Sequence, residues 1–195
     1  MFRLPLSAAL FAGLLFSLAA CGPATRADAT DITGVMPPLA FAMIRANDSS
    51  PVTAADYRGK TVLLYFGYTH CPDECPTTLS NIATALRRLG PSAQNVRVLF
   101  VSVDPARDTI QVLGRYVRAF APEIDGLRGS DDATAAFARR YRVLYSVTAA
   151  SPGHAYDVMH SDSLFLFDRT GRARFVLTST KDPAALASWI EKLDS

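Results

Sequence analysis

Two continuous apolar runs, Thr61 to Tyr68 (TVLLYFGY) and Val96 to Val103 (VRVLFVSV), constrain this chain more than any other feature. Runs of this length, rich in β-branched and aromatic residues, read as strands buried on both faces. Between them Leu79, Ile82, Ala83, Leu86 and Leu89 recur at helical spacing. Pro76 suits the first helical position, and Gly90-Pro91 ends the segment. Strand, helix, strand is a crossover unit, and crossovers place helices on the faces of a sheet.

The remaining elements extend that unit. Ile110, Leu113, Val117 and Phe120 share one face of a helix that Asp108 can cap. A third helix, about Asp131 to Tyr141, opens with two acids at its positive end. A short strand near Val143 to Val147 follows. Ser163 to Phe167 and Ala173 to Thr178 read as a hairpin through Asp168-Arg169-Thr170-Gly171, and a closing helix runs from about Pro183 to Leu193. Leu39 to Ile44 and Val52-Thr53 form an N-terminal hairpin around Asn47-Asp48-Ser49-Ser50. The fold class is α/β. The element order is that of a thioredoxin-like mixed sheet flanked by helices, with an added N-terminal hairpin and an inserted helix.

Residues 1–20 stand apart. Arg3 precedes an unbroken apolar or small stretch from Leu6 to Ala20. As a helix it would span about 22 Å, short of a bilayer core of roughly 30 Å, so it reads as an export signal. Leu18-Ala19-Ala20-Cys21 resembles the lipobox of bacterial lipoproteins, which implies cleavage before Cys21 and lipid attached to its sulfur. Residues 21–38, rich in Ala, Thr, Asp and Pro, read as a flexible tether, and 39–195 as the folded domain. The net charge of +2 is too small to argue for nucleic acid.

With Cys21 lipidated, two of the chain's three cysteines remain, Cys71 and Cys75 in GYTHCPDECPTTL. A disulfide closing so short a loop constrains the unfolded chain little, so the pair is chemical rather than structural. Its place between the first core strand and the first long helix puts Cys75 at the expected N-cap. There, free amides and partial positive charge favour a thiolate. Three residues between the sulfurs, instead of the usual two of a redox pair, allow them to open around an ion. Thiolates favour soft or borderline metals such as Cu(I) and Zn(II).

A third ligand is expected, and histidine is the natural type. His70 adjoins Cys71, and its side chain is expected to point away from the sulfurs. His154 follows the turn Ser151-Pro152-Gly153. His160 lies just before the terminal hairpin, in a loop that thioredoxin-like folds place beside the redox pair, and is the candidate to reach both sulfurs.

The segments GKTVLLYFGYTHCPDECPTTL, SVDPARDT and YDVMHS resemble the three signatures of the Sco (SenC) copper-binding proteins, in order, across roughly Leu39 to Leu193. The resemblance implies that Cys71, Cys75 and His160 bind copper, as Cu(I) or Cu(II). It further implies a membrane-tethered protein serving assembly of the CuA centre in cytochrome c oxidase subunit II, by copper delivery, thiol reduction or both. Another copper chaperone or a thiol reductant would then be a further partner, and the protein would act on the periplasmic face. Family members often carry Val where this chain has Glu74, and Asp where it has Met159. Met159 is expected in the core, the alternative being a soft thioether near copper. Asp104 and Asp108 read as a strand-end turn and a helix cap; the resemblance places them near the site. Asp73 reads as a solvated acid, and Tyr65, Phe66 and Tyr68 as core or rim aromatics.

Three functions compete. A copper metallochaperone needs both cysteines and His160. A thiol–disulfide oxidoreductase needs only Cys71 and Cys75 as a redox pair. A thiol peroxidase would use the same fold, but Thr69 lies two residues before Cys71, where peroxiredoxins place their threonine three before.

Overall fold

The computed structural model of the chain describes residues 29–152 and 156–194. The expected signal at 1–20, Cys21, most of the tether and His154 lie outside the described residues. The strands are β1 (Ala29–Asp31), β2 (Ala42–Arg45), β3 (Ser50–Thr53), β4 (Thr61–Gly67), β5 (Val96–Ser102), β6 (Ile124–Arg128), β7 (Tyr145–Thr148), β8 (Asp157–His160), β9 (Leu164–Phe167) and β10 (Ala173–Leu177). The helices are α1 (Glu74–Leu89), α2 (Ile110–Arg118), α3 (Asp131–Arg140) and α4 (Pro183–Asp194). Eight strands form one sheet in the order β1-β10-β9-β4-β5-β6-β2-β3, while β7 and β8 pair separately.

The centre of the sheet follows from its apolar runs. All seven residues of β4 are buried. β4 pairs in parallel with β5, and β5 with β6, while β9 joins the other side of β4 antiparallel. Leu79, Ile82, Ala83 and Leu86 of α1 are buried on the face their spacing marks out. The terminal hairpin β9–β10 and the N-terminal hairpin β2–β3 form as expected. β6 has no counterpart among the expected strands, because Asp125 and Gly126 interrupt its apolar run. Asp125 is nevertheless buried, accepting a hydrogen bond from Tyr57 Oη at 2.9 Å.

Four sequence expectations change. Within the expected tether, Ala29–Asp31 pair with β10 and Ile32 is buried, so packing begins before Leu39. α1 starts at Glu74 with Asp73 at its N-cap, which moves Cys75 inside the first turn and Pro76 two residues deeper, to the third helical position. The cap of α2 is Thr109, whose side chain accepts from Val112 N–H, and Asp108 is freed for another role. His160 ends a strand of the small β7–β8 ribbon instead of lying in a loop.

Candidate metal centre

The site forms at the carboxyl end of β4, where the sheet changes from parallel to antiparallel neighbours. Open α/β sheets leave a crevice at such ends. β4 finishes at Gly67, and the chain turns through Tyr68 to Asp73 into α1. Cys75, in the first turn, is wholly buried, and Cys71 on the loop is half-buried. A Cβ at position 67 would lie 2.6 Å from the Phe100 ring and 2.9 Å from Cys75 Sγ. Glycine here lets the inner sulfur settle against the strand.

The helix start acts on the outer sulfur. Cys75 N–H donates to Cys71 Sγ at 3.3 Å. For Cys75 itself, burial outweighs the helix terminus. Removal from water pushes its thiol up to about 12, a backbone hydrogen bond from Tyr68 opposes this, and the neighbouring Cys71 adds to it. The expectation that Cys75 favours a thiolate is therefore corrected.

His160 reaches this pair from late in the chain. Its Nε2 lies 3.3 Å from Cys75 Sγ, and its Nδ1 lies 3.1 Å from the carbonyl oxygen of Ser161. A carbonyl can only accept, so Nδ1 carries the proton and Nε2 presents its lone pair to the sulfurs. The ring stands edge-on between Tyr65 and Tyr68, with centroids at 6.0 and 5.8 Å. The side chain is 4% exposed. Tyr65 and Phe66 are core and Tyr68 is buried at the rim, as expected, with the added role of walling the imidazole.

The donor atoms of Cys71, Cys75 and His160 all lie within 4.8 Å of one another. Bonds of roughly 2.0–2.3 Å from thiolate and imidazole to a first-row metal place three donors about 3.5–4 Å apart. The three groups fit one ion after small closing shifts, and their soft sulfur content suits copper.

The other candidates separate clearly. His70 is exposed and turns toward Asp108, with Nδ1 3.6 Å from its Oδ1. Asp108 is wholly buried and accepts from Thr69 N–H at 3.0 Å, Thr69 Oγ1 at 2.6 Å and Ser102 Oγ at 2.6 Å. It therefore braces the loop that carries Cys71. Asp104 is buried beside it. Asp73 and Glu74 are exposed at the mouth of α1. Met159 is 64% exposed, which corrects its expected place in the core. Alternation along β8 turns Val158 and His160 inward and Met159 outward. The sequence alone did not single out Gly67 or Tyr156, and it raised Thr69 only as a peroxidase threonine, not as the partner of Asp108. Tyr156 carried a signal, since it opens the YDVMHS segment.

Comparison with known proteins agrees with this geometry. The chain is 44% identical over 119 residues to the mitochondrial protein SCO2 homolog of Bos taurus, covering 60% of this chain and 45% of that protein. It thus spans about half the length of the curated relatives it matches. The structure of Bradyrhizobium japonicum ScoI with copper bound superposes with a TM-score of 0.72 at 34% identity, covering 80% of this chain and 98% of the other. Arabidopsis thaliana ScoI with copper bound gives a TM-score of 0.72 at 35% identity, covering 80% of this chain and 96% of the other. The SCO1/SenC family model matches residues 39–194, and the chain belongs to the SCO1/SenC family.

Proposed function

We propose that this chain is a copper metallochaperone for the CuA centre of cytochrome c oxidase. It would hold one ion between Cys71, Cys75 and His160 and pass it by ligand exchange to cysteines of subunit II. The observation that carries this reading is the convergence of two thiols and one imidazole nitrogen within 4.8 Å. The burial of Cys75 and the partial exposure of Cys71 give the exchange a direction. An incoming sulfur meets the ion on the Cys71 side, while Cys75 and His160 hold it from within.

The protein would be exported and lipid-anchored through Cys21 on the periplasmic face. The support is the apolar stretch ending in Leu18-Ala19-Ala20-Cys21. Among the described residues, no helix is long and apolar enough to cross a membrane. Metal analysis and X-ray absorption on the reduced chain test the copper reading. One copper with two sulfurs and one nitrogen supports it. A chain that takes up no copper, or binds it equally well without both cysteines, ends it.

A second reading rests on the pairing of an outer and an inner thiol. As a thiol–disulfide oxidoreductase, the Cys71 thiolate attacks a partner's disulfide, forming a mixed disulfide and releasing one partner thiolate. Cys75 then attacks Cys71, closing the Cys71–Cys75 disulfide and releasing the second partner thiol. The partner gains two electrons, and an external thiol reductant resets the pair. The two readings are compatible, because reduced acceptor cysteines are the ones that can take copper. Trapping a mixed disulfide with Cys75→Ser tests the second.

A further inference from the structure

We propose that Tyr156 is a positioning residue for His160, latching the ribbon that carries the imidazole onto the same loop that braces Cys71. This rests on the copper reading above. The β7–β8 ribbon shares no ladder with the eight-stranded sheet among the described residues. A two-stranded ribbon alone is only marginally stable in water, so side chains must fix where it sits. Val158 supplies a buried apolar contact on its inner face.

The polar fixing point is at its base. Tyr156 Oη donates to Asp104 Oδ1 at 2.7 Å. Asp104 is 1% exposed, and its other oxygen accepts from Arg107 Nε. The Arg107 guanidinium also lies 4.0 Å from the centroid of the Tyr156 ring. The tyrosine is thus held at its hydroxyl and on its face.

From Asp104 the hydrogen bonds run on to the cysteines. Asp104 N–H donates to Ser102 Oγ at 3.1 Å, and the Ser102 hydroxyl donates to Asp108 Oδ2 at 2.6 Å. Asp108 in turn holds Thr69, two residues before Cys71. The loop between β5 and α2 therefore mounts both parts of the donor set. Tyr156 lies four residues before His160, roughly 13 Å along an extended strand. A tilt at the latch carries through to the imidazole. With the latch closed the donors stand ready; with it open, an arriving ion must also order the ribbon.

The test compares the parent chain with Tyr156→Phe, which removes one hydroxyl and keeps the ring. The control is Tyr57→Phe, which removes a tyrosine–carboxylate bond of similar length, 2.9 Å to Asp125, on another part of the sheet. In the reduced, copper-free protein, Tyr156→Phe should speed amide exchange in β7–β8 by about tenfold. With copper(II), it should lower affinity by about tenfold or more and weaken the nitrogen splitting in the electron paramagnetic resonance spectrum. Tyr57→Phe should lower thermal stability without either effect. Tyr156→Phe matching the parent in ribbon exchange and in copper binding overturns the latch. If the parent takes up no copper, the functional reading fails, and the exchange measurement on the copper-free protein still decides the latch.

Discussion

His160 Nε2 lies 3.3 Å from Cys75 Sγ, although 85 residues separate them in sequence. The contact is directed. Nδ1 is committed to the Ser161 carbonyl, so the nitrogen facing the sulfur is the one with a free lone pair. His160→Ala should leave the fold intact and lower copper affinity by more than the ~10–100-fold typical of losing a group that merely orients a ligand. Competition against a calibrated chelator measures this. Parent-like affinity would remove His160 from the donor set and leave a two-sulfur site.

Gly67 should prove as exacting as a ligand. An added methyl meets the Phe100 ring at 2.6 Å and Cys75 Sγ at 2.9 Å, and neither sits at the end of a flexible side chain. Gly67→Ala should destabilise the protein by about 1–3 kcal/mol, as overpacking does. It should also displace the inner sulfur, weakening copper binding beyond what an equally destabilising substitution elsewhere produces. Urea unfolding together with copper titration checks both parts. Unchanged copper binding in a destabilised variant would show that the sulfur tolerates the shift.

The central fold was legible because its signals are local. Thr61–Gly67, Val96–Ser102 and the buried face of α1 each announce themselves in the spacing of their own apolar residues. β6 was hidden because Asp125, paired with Tyr57 from another element, breaks its apolar run. The site was legible in its residue types and less so in its supports. Asp108 looked like a helix cap because its real partner, Thr69, is 39 residues away. Gly67 carries meaning only once Cys75 Sγ has been placed against it. The raised Cys75 thiol follows from burial, which neighbouring sequence does not state.

Asp108 gives the next expectation. It is wholly buried and accepts three hydrogen bonds that join the Cys71 loop to the end of β5. Asp108→Ala leaves the Thr69 amide and the Ser102 hydroxyl without their acceptor. Stability should fall by about 2–3 kcal/mol, the scale of hydrogen bonds to a charged group. With the loop loosened, alkylation of Cys71 by iodoacetamide should quicken relative to the parent at the same pH. An unchanged rate would mean that Pro72 and the start of α1 hold the loop without Asp108.

The Cys75 thiol makes stability depend on pH with a definite sign. Burial holds it at about 12 in the native protein, whereas an unfolded cysteine titrates near ~8.5. Between those values the native state keeps a proton that the unfolded state has released. Stability is therefore full below about pH 8.5 and declines as pH rises toward 12, by up to ~1.4 kcal/mol per unit. Urea unfolding of the reduced, copper-free chain at pH 7.5, 8.5 and 9.5 should show this loss. Cys75→Ser, which has no thiol to titrate there, should lose less over the same range. Equal slopes for the two proteins would mean that the buried thiol is not the group responsible. Copper should respond in the opposite direction, since binding displaces the same proton: its affinity should rise with pH across this interval.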